Sequence, residues 1–478
     1  MGDFDLVIIG TGSGNSILSP EFDDWNVAIV EKDVFGGTCL NRGCIPSKML
    51  VLPADRLVEA EEANERLNLR IPHGRADWAA IRDRTFDRID RIASGGADYR
   101  RSQQHVTVLS GEGRFVGDHL LEVTAADGTR SRISAPRFVL AAGARPRIPD
   151  LEGLEGTPFH TSDSIMRIDR LPEHLIILGG GFIAAELGHV FASFGSRVSV
   201  VHRGDRMLRH EDAEVSARFT ECFSQRVHTY FHAHPTRVEH DGELFRLHID
   251  QEEEPVSLPG HRRSRVLEGD ALLLTTGRDP NGDRLGVAAT GVRLDPAGYV
   301  VTDDHLRTGV PGIWALGDIR NPAQLKHLAN QEQRVVTHNL LHPDDLRRID
   351  QRHVPHAVFS HPQVASAGRT EMQLRSEGRL FVTGRCDYAS VAYGWALEDT
   401  TGFAKILLDA GDATICGAHL IGPQAATLIQ QLVQAMQFGI PAHRLAREQI
   451  WCHPALPELI ENALLDAVEQ LPAGTLRA

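Results

Sequence analysis

The sequence predicts an α/β fold: two Rossmann-like dinucleotide-binding domains and a C-terminal α+β domain. Three stretches carry that expectation. Residues 5–31 run from an apolar strand, DLVIIG, through a glycine-rich turn, GTGSGN, to a second strand, NVAIV, ending at Glu31. Residues 175–203, LIILGGGFIAAELGHVFASFGSRVSVVHR, repeat the pattern as strand, glycine turn, helix and strand. From about residue 350 the pattern shifts to strands such as HAVFS, FAKILLD and CGAHLIG, with helices between them. Unbroken apolar runs of this length fit parallel strands buried on both faces. A glycine turn between strand and helix lets a pyrophosphate approach the backbone at a helix N-terminus.

At 478 residues the chain has room for about three domains. A net charge of −14 argues against nucleic acid or an anionic membrane surface as partner. The one basic cluster, His261 to Arg265, is expected in an exposed loop. No signal-like stretch precedes the first strand, and no apolar run reaches the ~20 residues needed to span a bilayer. Six cysteines in a chain of this length are not a disulfide scaffold, so a cytoplasmic protein is expected. Lysine is scarce: Lys32, Lys48, Lys326 and Lys405 are the only four.

In the first unit Gly10 makes the tight turn and Gly12 permits close approach of a pyrophosphate. Asn15 stands where the third glycine of the fingerprint is expected, which predicts a slightly displaced short helix. Glu31, about 20 residues on, is placed for a ribose hydroxyl. Next comes GGTCLNRGCIPSK, residues 36–48, with Cys39 and Cys44. No second Cys/His pair follows at zinc spacing, and no metal site is expected. Cysteines five positions apart on one regular helix could not join in a disulfide, which needs Cα atoms within about 7 Å. Cys39 is therefore expected in a loop or a distorted first turn. Pro46 suits the first position of a helix, which would put Cys44 near a helix N-terminus, where the dipole favours a thiolate. The spacing alone fits a redox pair and two unrelated buried cysteines equally well.

Residues 50–110 read as long helices with polar faces, and Gly111 to Phe115 starts a β-rich stretch. In the second unit Gly179, Gly181 and Ala184 give G-x-G-x-x-A. A site for NAD wants Asp or Glu after the second strand. Here the chain supplies His202 and Arg203, then Arg209, and guanidiniums suit a 2′-phosphate. Near the C-terminus His453 and Glu458 flank a turn stiffened by Pro454 and Pro457. A carboxylate beside an imidazole fixes its tautomer and raises its basicity.

GGTCLNRGCIPSK, the two glycine turns, GIWALGDI at 312–319 and the tail HPALPELIENALL together resemble the flavoprotein disulfide reductases, the family of glutathione reductase and lipoamide dehydrogenase. The resemblance runs essentially end to end. It implies FAD in the first unit, NADPH in the second and a redox-active Cys39–Cys44 disulfide between them. Lys32 would lie beside the adenosine, with Gly14, Gly37, Thr38, Gly113, Gly143 and Asp318 also against FAD. Lys48 would pair with Glu186 by the flavin ring. Phe182 stands where some relatives carry a lid tyrosine; with Ile183, Gly277 and Arg278 it would approach NADPH. His453 would serve as acid–base, oriented by Glu458, across a homodimer with shared sites. The implied domains are 1–147 (FAD-binding), 148–279 (NADPH-binding), 280–348 (return to the FAD-binding domain) and 349–478 (dimerisation). Within the family, GTGSGNSIL, AYGWALEDT and the tail resemble members that reduce mycothione, the disulfide of a sugar-linked thiol. Sugar contacts are expected near Ser16 and Ile17 or near Arg114. An NAD-linked lipoamide dehydrogenase is the alternative enzyme, against which Arg203 and Arg209 argue. A mercuric reductase would want a further C-terminal cysteine pair, which the chain lacks. Outside enzymes, the alternatives are a protein holding FAD structurally or a metal between Cys39 and Cys44.

Overall fold

The computed structural model describes residues 2–252 and 262–475. The strands of the first unit sit inside a five-stranded parallel sheet ordered Ile313–Ala315, Phe138–Leu140, Leu6–Ile9, Val27–Glu31, Val106–Ser110. Leu6, Val7, Ile8, Val27, Ala28 and Ile29 are fully buried, as strands covered on both faces must be. The edge strand Ile313–Ala315 returns from beyond the second unit, so the first unit is closed by two distant parts of the chain.

The second unit forms its own parallel sheet, ordered His160–Thr161, Ala271–Leu274, His174–Leu178, Arg197–Val201, His228–Tyr230. A three-stranded antiparallel sheet, Ala233–His240, Phe245–Glu252 and Arg262–Gly269, lies beside it. The basic cluster expected in a loop begins the last of these strands, apart from His261, which lies outside the described residues. The partner strand explains the correction: the segment pairs in register along Phe245–Glu252, and Ser264 Oγ donates to Asp250 Oδ1 at 2.7 Å.

The short helix expected after GTGSGN is absent. One 3₁₀ turn, Gly14–Ile17, and a second, Pro20–Phe22, take its place. The buried guanidinium of Arg100, from the helix Trp78–Ser102, donates to Asn15 Oδ1 (2.8 Å), Asn15 O (2.7 Å) and Leu18 O (3.4 Å). These acceptors would otherwise need partners within a helix, and Pro20 brings no N–H to continue one. The helix Lys326–Leu341 packs against this turn, with Gln333 Nε2 donating to Ser16 O at 2.9 Å.

The C-terminal region is an antiparallel sheet ordered His356–Val358, Val364–Gly368, Ile415–Ile421, Phe403–Asp409, Phe381–Asp387, backed by the helices Ala425–Phe438 and Pro457–Glu469. Lys405 ties this region to the second unit. Its side chain is 1% exposed, and Nζ lies 3.0 Å from Asp212 Oδ1, 2.6 Å from Glu214 Oε1 and 2.6 Å from Glu371 Oε2. Truncating one member of a buried ion cluster leaves the others uncompensated. Lys405→Met is expected to lower stability by roughly 3 kcal/mol, the low end of such losses because Glu214 stays half-exposed. Thermal unfolding checks it; an unshifted midpoint counts against the cluster as a structural tie.

Candidate active site

One cleft gathers most of the residues singled out in the sequence. The first glycine turn (10–13), Glu31 and Lys32, the cysteine segment (37–48), Gly111–Gly113, Ala141–Arg145, Asp318 and the start of the helix Lys326–Leu341 line it. Phe182, Ile183 and Glu186 reach it from the second unit, so both nucleotide units border one space.

Glu31 ends its strand with Oε2 accepting from Thr11 N (2.9 Å) and Thr11 Oγ1 (2.6 Å). Thr11 Oγ1 in turn accepts from Gly36 N at 2.8 Å, which joins the glycine turn to the cysteine segment. Sequence reading misses Thr11, because the fingerprint leaves its position free. Gly37 has φ +70°, and a Cβ on it would lie 2.6 Å from Gly12 Cα; no other residue fits that crossing.

Cys39 sits not in a loop but in a short helical turn of its own, Gly37–Asn41, set off from the helix that follows. Asn41 closes this turn from its side-chain nitrogen, donating to Phe35 O and Gly37 O, each at 3.0 Å. The chain breaks at Gly43, and Cys44 is the first residue of the helix Cys44–Arg66, which makes Pro46 the third position rather than the first. The two sulfurs meet across this break. A hydrogen bond from the Cys39 thiol is the main influence lowering Cys44, with Lys48 adding to it against the cost of burial; Cys44 is brought down to about 7. Cys39, the donor, is pushed well above an ordinary thiol by that bond, by burial and by the neighbouring charge. The pair is thus built to hold one proton and one negative charge, the charge on Cys44.

One turn further on, Lys48 Nζ lies 2.7 Å from both oxygens of Glu186 and 4.6 Å from the centroid of the Phe359 ring. Ser47 Oγ (3.2 Å) and Phe359 N (3.0 Å) also donate to Glu186, whose side chain is 7% exposed. Phe359 comes from the C-terminal region and carries no motif that would have revealed it. Across the cleft, Asp318 accepts no hydrogen bond from the described residues, and burial raises its pKa despite Arg278 and Lys326 nearby. A carboxylate turned into a cleft without a protein donor suits a hydroxyl-bearing ligand. Gly143, with φ +65° and nothing within 4 Å of an added Cβ, opens onto the same space. The Arg278 guanidinium is occupied by Ala144 O at 2.7 Å.

In the second unit Gly181 precedes the helix Phe182–Ser193 and has open space around an added Cβ. Phe182 is half-exposed at the cleft. Arg203 and Arg209 follow the strand Arg197–Val201; both are exposed and form no ion pair among the described residues. The ring of His202 packs against Gly180, and burial together with Arg209 and Arg203 lowers its pKa.

Ile17, expected near a sugar, is fully buried and can touch no substrate; Ser16 is exposed, and Arg114 packs over Gly286. His453 and Glu458 do not line the cleft. They form their own pair, with His453 Nδ1 2.6 Å from Glu458 Oε1 and the imidazole 70% exposed. That bond holds Glu458 below the usual carboxylate range and leaves Nε2 of His453 turned outward from the pair.

Comparison with known proteins agrees with this arrangement. Residues 4–336 match the pyridine nucleotide-disulphide oxidoreductase family, and residues 354–464 match its dimerisation domain. The chain is 42% identical to mycothione reductase of Mycobacterium tuberculosis, over 97% of this chain and 99% of that one. It is 28% identical to dihydrolipoyl dehydrogenase of Bacillus subtilis, over 97% of each. The HOCl-induced flavoprotein disulfide reductase RclA from Escherichia coli, in its Cu(II) complex, superposes with a TM-score of 0.84 at 26% identity, over 97% of this chain and 99% of that one. Among the described residues no helix is long and apolar enough to cross a membrane.

Proposed function

The chain belongs to the pyridine nucleotide-disulphide oxidoreductase family, and from that premise we propose that it is a homodimeric, FAD-dependent enzyme that uses NADPH to reduce mycothione to mycothiol. The observation that carries this reading is the Cys39–Cys44 pair on a cleft bordered by both nucleotide units, with Cys44 opening a helix one turn before Lys48. The residues lining the cleft fit FAD: Gly10, Gly12, Gly37 and Thr38 would lie beside the pyrophosphate, Glu31, Lys32 and Gly113 at the adenosine, and Gly143 and Asp318 along the ribityl chain, whereas Gly14 is buried against Ala141 and Ile8 and does not line the cleft. When bound there, FAD supplies the two-electron relay from NADPH to the cysteine pair.

The chain's own residues do the rest. Lys48, held by Glu186, keeps a positive charge one helical turn from Cys44 and so favours its thiolate. Cys39 passes its proton to His453 of the partner subunit and attacks one sulfur of the substrate; the S–S bond breaks and a mixed disulfide forms. The departing thiolate takes a proton from His453 of the partner subunit, whose tautomer Glu458 fixes. The Cys44 thiolate then attacks the Cys39 sulfur, which restores the Cys39–Cys44 disulfide and expels the second product as a thiolate that takes a proton from water. A transient disulfide of this kind implies a reducing compartment, and we place the protein in the cytoplasm.

The test is NADPH oxidation with mycothione, glutathione disulfide and lipoamide side by side. Mycothione is expected to give the highest kcat/KM; a preference for lipoamide with NADH overturns the reading. The cofactor choice has its own test. Only NADPH carries a 2′-phosphate, so Arg203→Ala with Arg209→Ala removes charge-assisted hydrogen bonds worth ~1.5–3 kcal/mol each. The KM for NADPH is expected to rise at least about tenfold while that for NADH is unchanged. Equal losses for both nucleotides would sink the assignment.

A further inference from the structure

The segment that carries the two arginines is held at both ends, and its far end is held by the C-terminal region. At the near end Leu208 N donates to Gly180 O of the glycine turn at 2.8 Å, and Met207 and Leu208 are buried. Leu208 takes a left-handed φ of +51°, which swings the following residues away from the strand. Arg209 comes next, then His210, and then two carboxylates that leave the second unit altogether. Glu211, whose side chain is 7% exposed, accepts from His356 Nε2 at 2.7 Å and from Ser366 Oγ at 2.6 Å. His356 and Ser366 are directly paired neighbours on adjacent antiparallel strands, so they act as one two-pronged donor. Asp212 begins the helix Ala213–Ser224 and also receives Lys405 Nζ at 3.0 Å and Glu371 N at 3.2 Å.

Starting a helix needs only the Asp212 side chain. It does not need a buried glutamate beside it, clamped to another domain, and burying a carboxylate is costly unless the site fully satisfies it. What the clamp does is anchor the turn that carries the two residues before it, a turn closed by Glu211 N donating to Leu208 O at 2.9 Å. Arg209 has no ion pair of its own to hold it among the described residues, so its position depends on its backbone.

We infer that the C-terminal region sets the nucleotide preference of the second unit: His356 and Ser366, by gripping Glu211, are positioning residues that aim Arg209 at the 2′-phosphate of NADPH. The inference rests on the reading of Arg203 and Arg209 given above. Because Met207, Leu208 and the glycine turn keep their own contacts, loosening Glu211 releases Arg209 without disturbing the pyrophosphate site that NADH shares.

The experiment uses the flavin-loaded protein with His356→Ala and Ser366→Ala, made singly and each combined with Arg209→Ala, and measures KM and kcat for NADPH and for NADH. Flavin content and dimer mass establish that each variant is folded. Each single variant is expected to raise the KM for NADPH roughly three- to tenfold, the scale of one hydrogen bond, with kcat and the KM for NADH within about twofold of wild type. In the Arg209→Ala background the same changes should add nothing further, since the group being aimed is gone. Equal rises for both nucleotides, or an NADPH effect that persists in full without Arg209, overturn the inference. If Arg209→Ala alone leaves the ratio of the two KM values unchanged, the cofactor reading fails and takes the inference with it. If that ratio changes while His356→Ala and Ser366→Ala leave it alone, only the inference fails.

Discussion

Replacing Cys39 by serine is expected to give a protein that keeps FAD, loses disulfide reduction by on the order of 10³-fold or more, and absorbs at long wavelength without any reductant. The absorbance follows from the division of labour at the pair. With Cys39 gone, Cys44 cannot be tied up in a disulfide, and it stays a free sulfur at the N-terminus of the helix Cys44–Arg66 with Lys48 one turn away. A thiolate held against an oxidised flavin donates charge to it, and the band reports that contact. The band belongs to the deprotonated sulfur, and Cys44 sits near about 7, so the band should grow as pH rises through the neutral range and fade below it. Serine keeps a donor where the Cys39 thiol stood, so the midpoint should not return to that of an ordinary thiol. Cys44→Ser should be equally inactive and show no band at any pH. A band in the second variant and not in the first would reverse the two roles.

The parts of this site that sequence reading recovers are those fixed by the backbone. A glycine where Gly37 crosses Gly12, an acidic residue at the end of the second strand, and two cysteines ahead of a helix are written as residue types at set spacings. Lys48 and Glu186 come together through packing of distant helices, and only family resemblance pairs them beforehand. What stayed hidden depends on unremarkable residues meeting across the fold. Arg100 replaces the first helix by binding Asn15, yet in the sequence it is one arginine among many on a polar helix. Thr11 and Phe359 act through a hydroxyl and a backbone N–H, groups that no spacing rule flags. Cys39 lies in a short turn of helix set apart from the main helix at Gly43, the second of the two arrangements that disulfide geometry allows, and Asn41, whose side chain satisfies the carbonyls around it, is the part no spacing reveals. The strand beginning at Arg262 pairs along its length with Phe245–Glu252, a register that its own basic composition does not reveal.

The separation of His453 from the cleft leads to the other large effect. Within one chain the cysteines lie on the cleft and the His453–Glu458 pair does not, while the region around that pair matches a dimerisation domain. If the base of one chain serves the cysteines of the other, every site draws on both chains and each dimer holds two such sites. Cys44→Ser and His453→Ala should each be nearly inactive as homodimers. In a heterodimer of the two, one site receives both defects and the other receives none. The intact site should restore about half of the wild-type activity per dimer, provided the two sites turn over independently. If instead the base acted within its own chain, each site would keep one defect and mixing would restore nothing. The measurement is co-expression of the two variants with different tags, purification of the doubly tagged dimer, and NADPH oxidation with the disulfide substrate. A heterodimer that is folded and flavin-loaded yet inactive would refute sharing. Activity near half should also carry the wild-type pH profile, because the working site contains an unaltered His453 held by an unaltered Glu458.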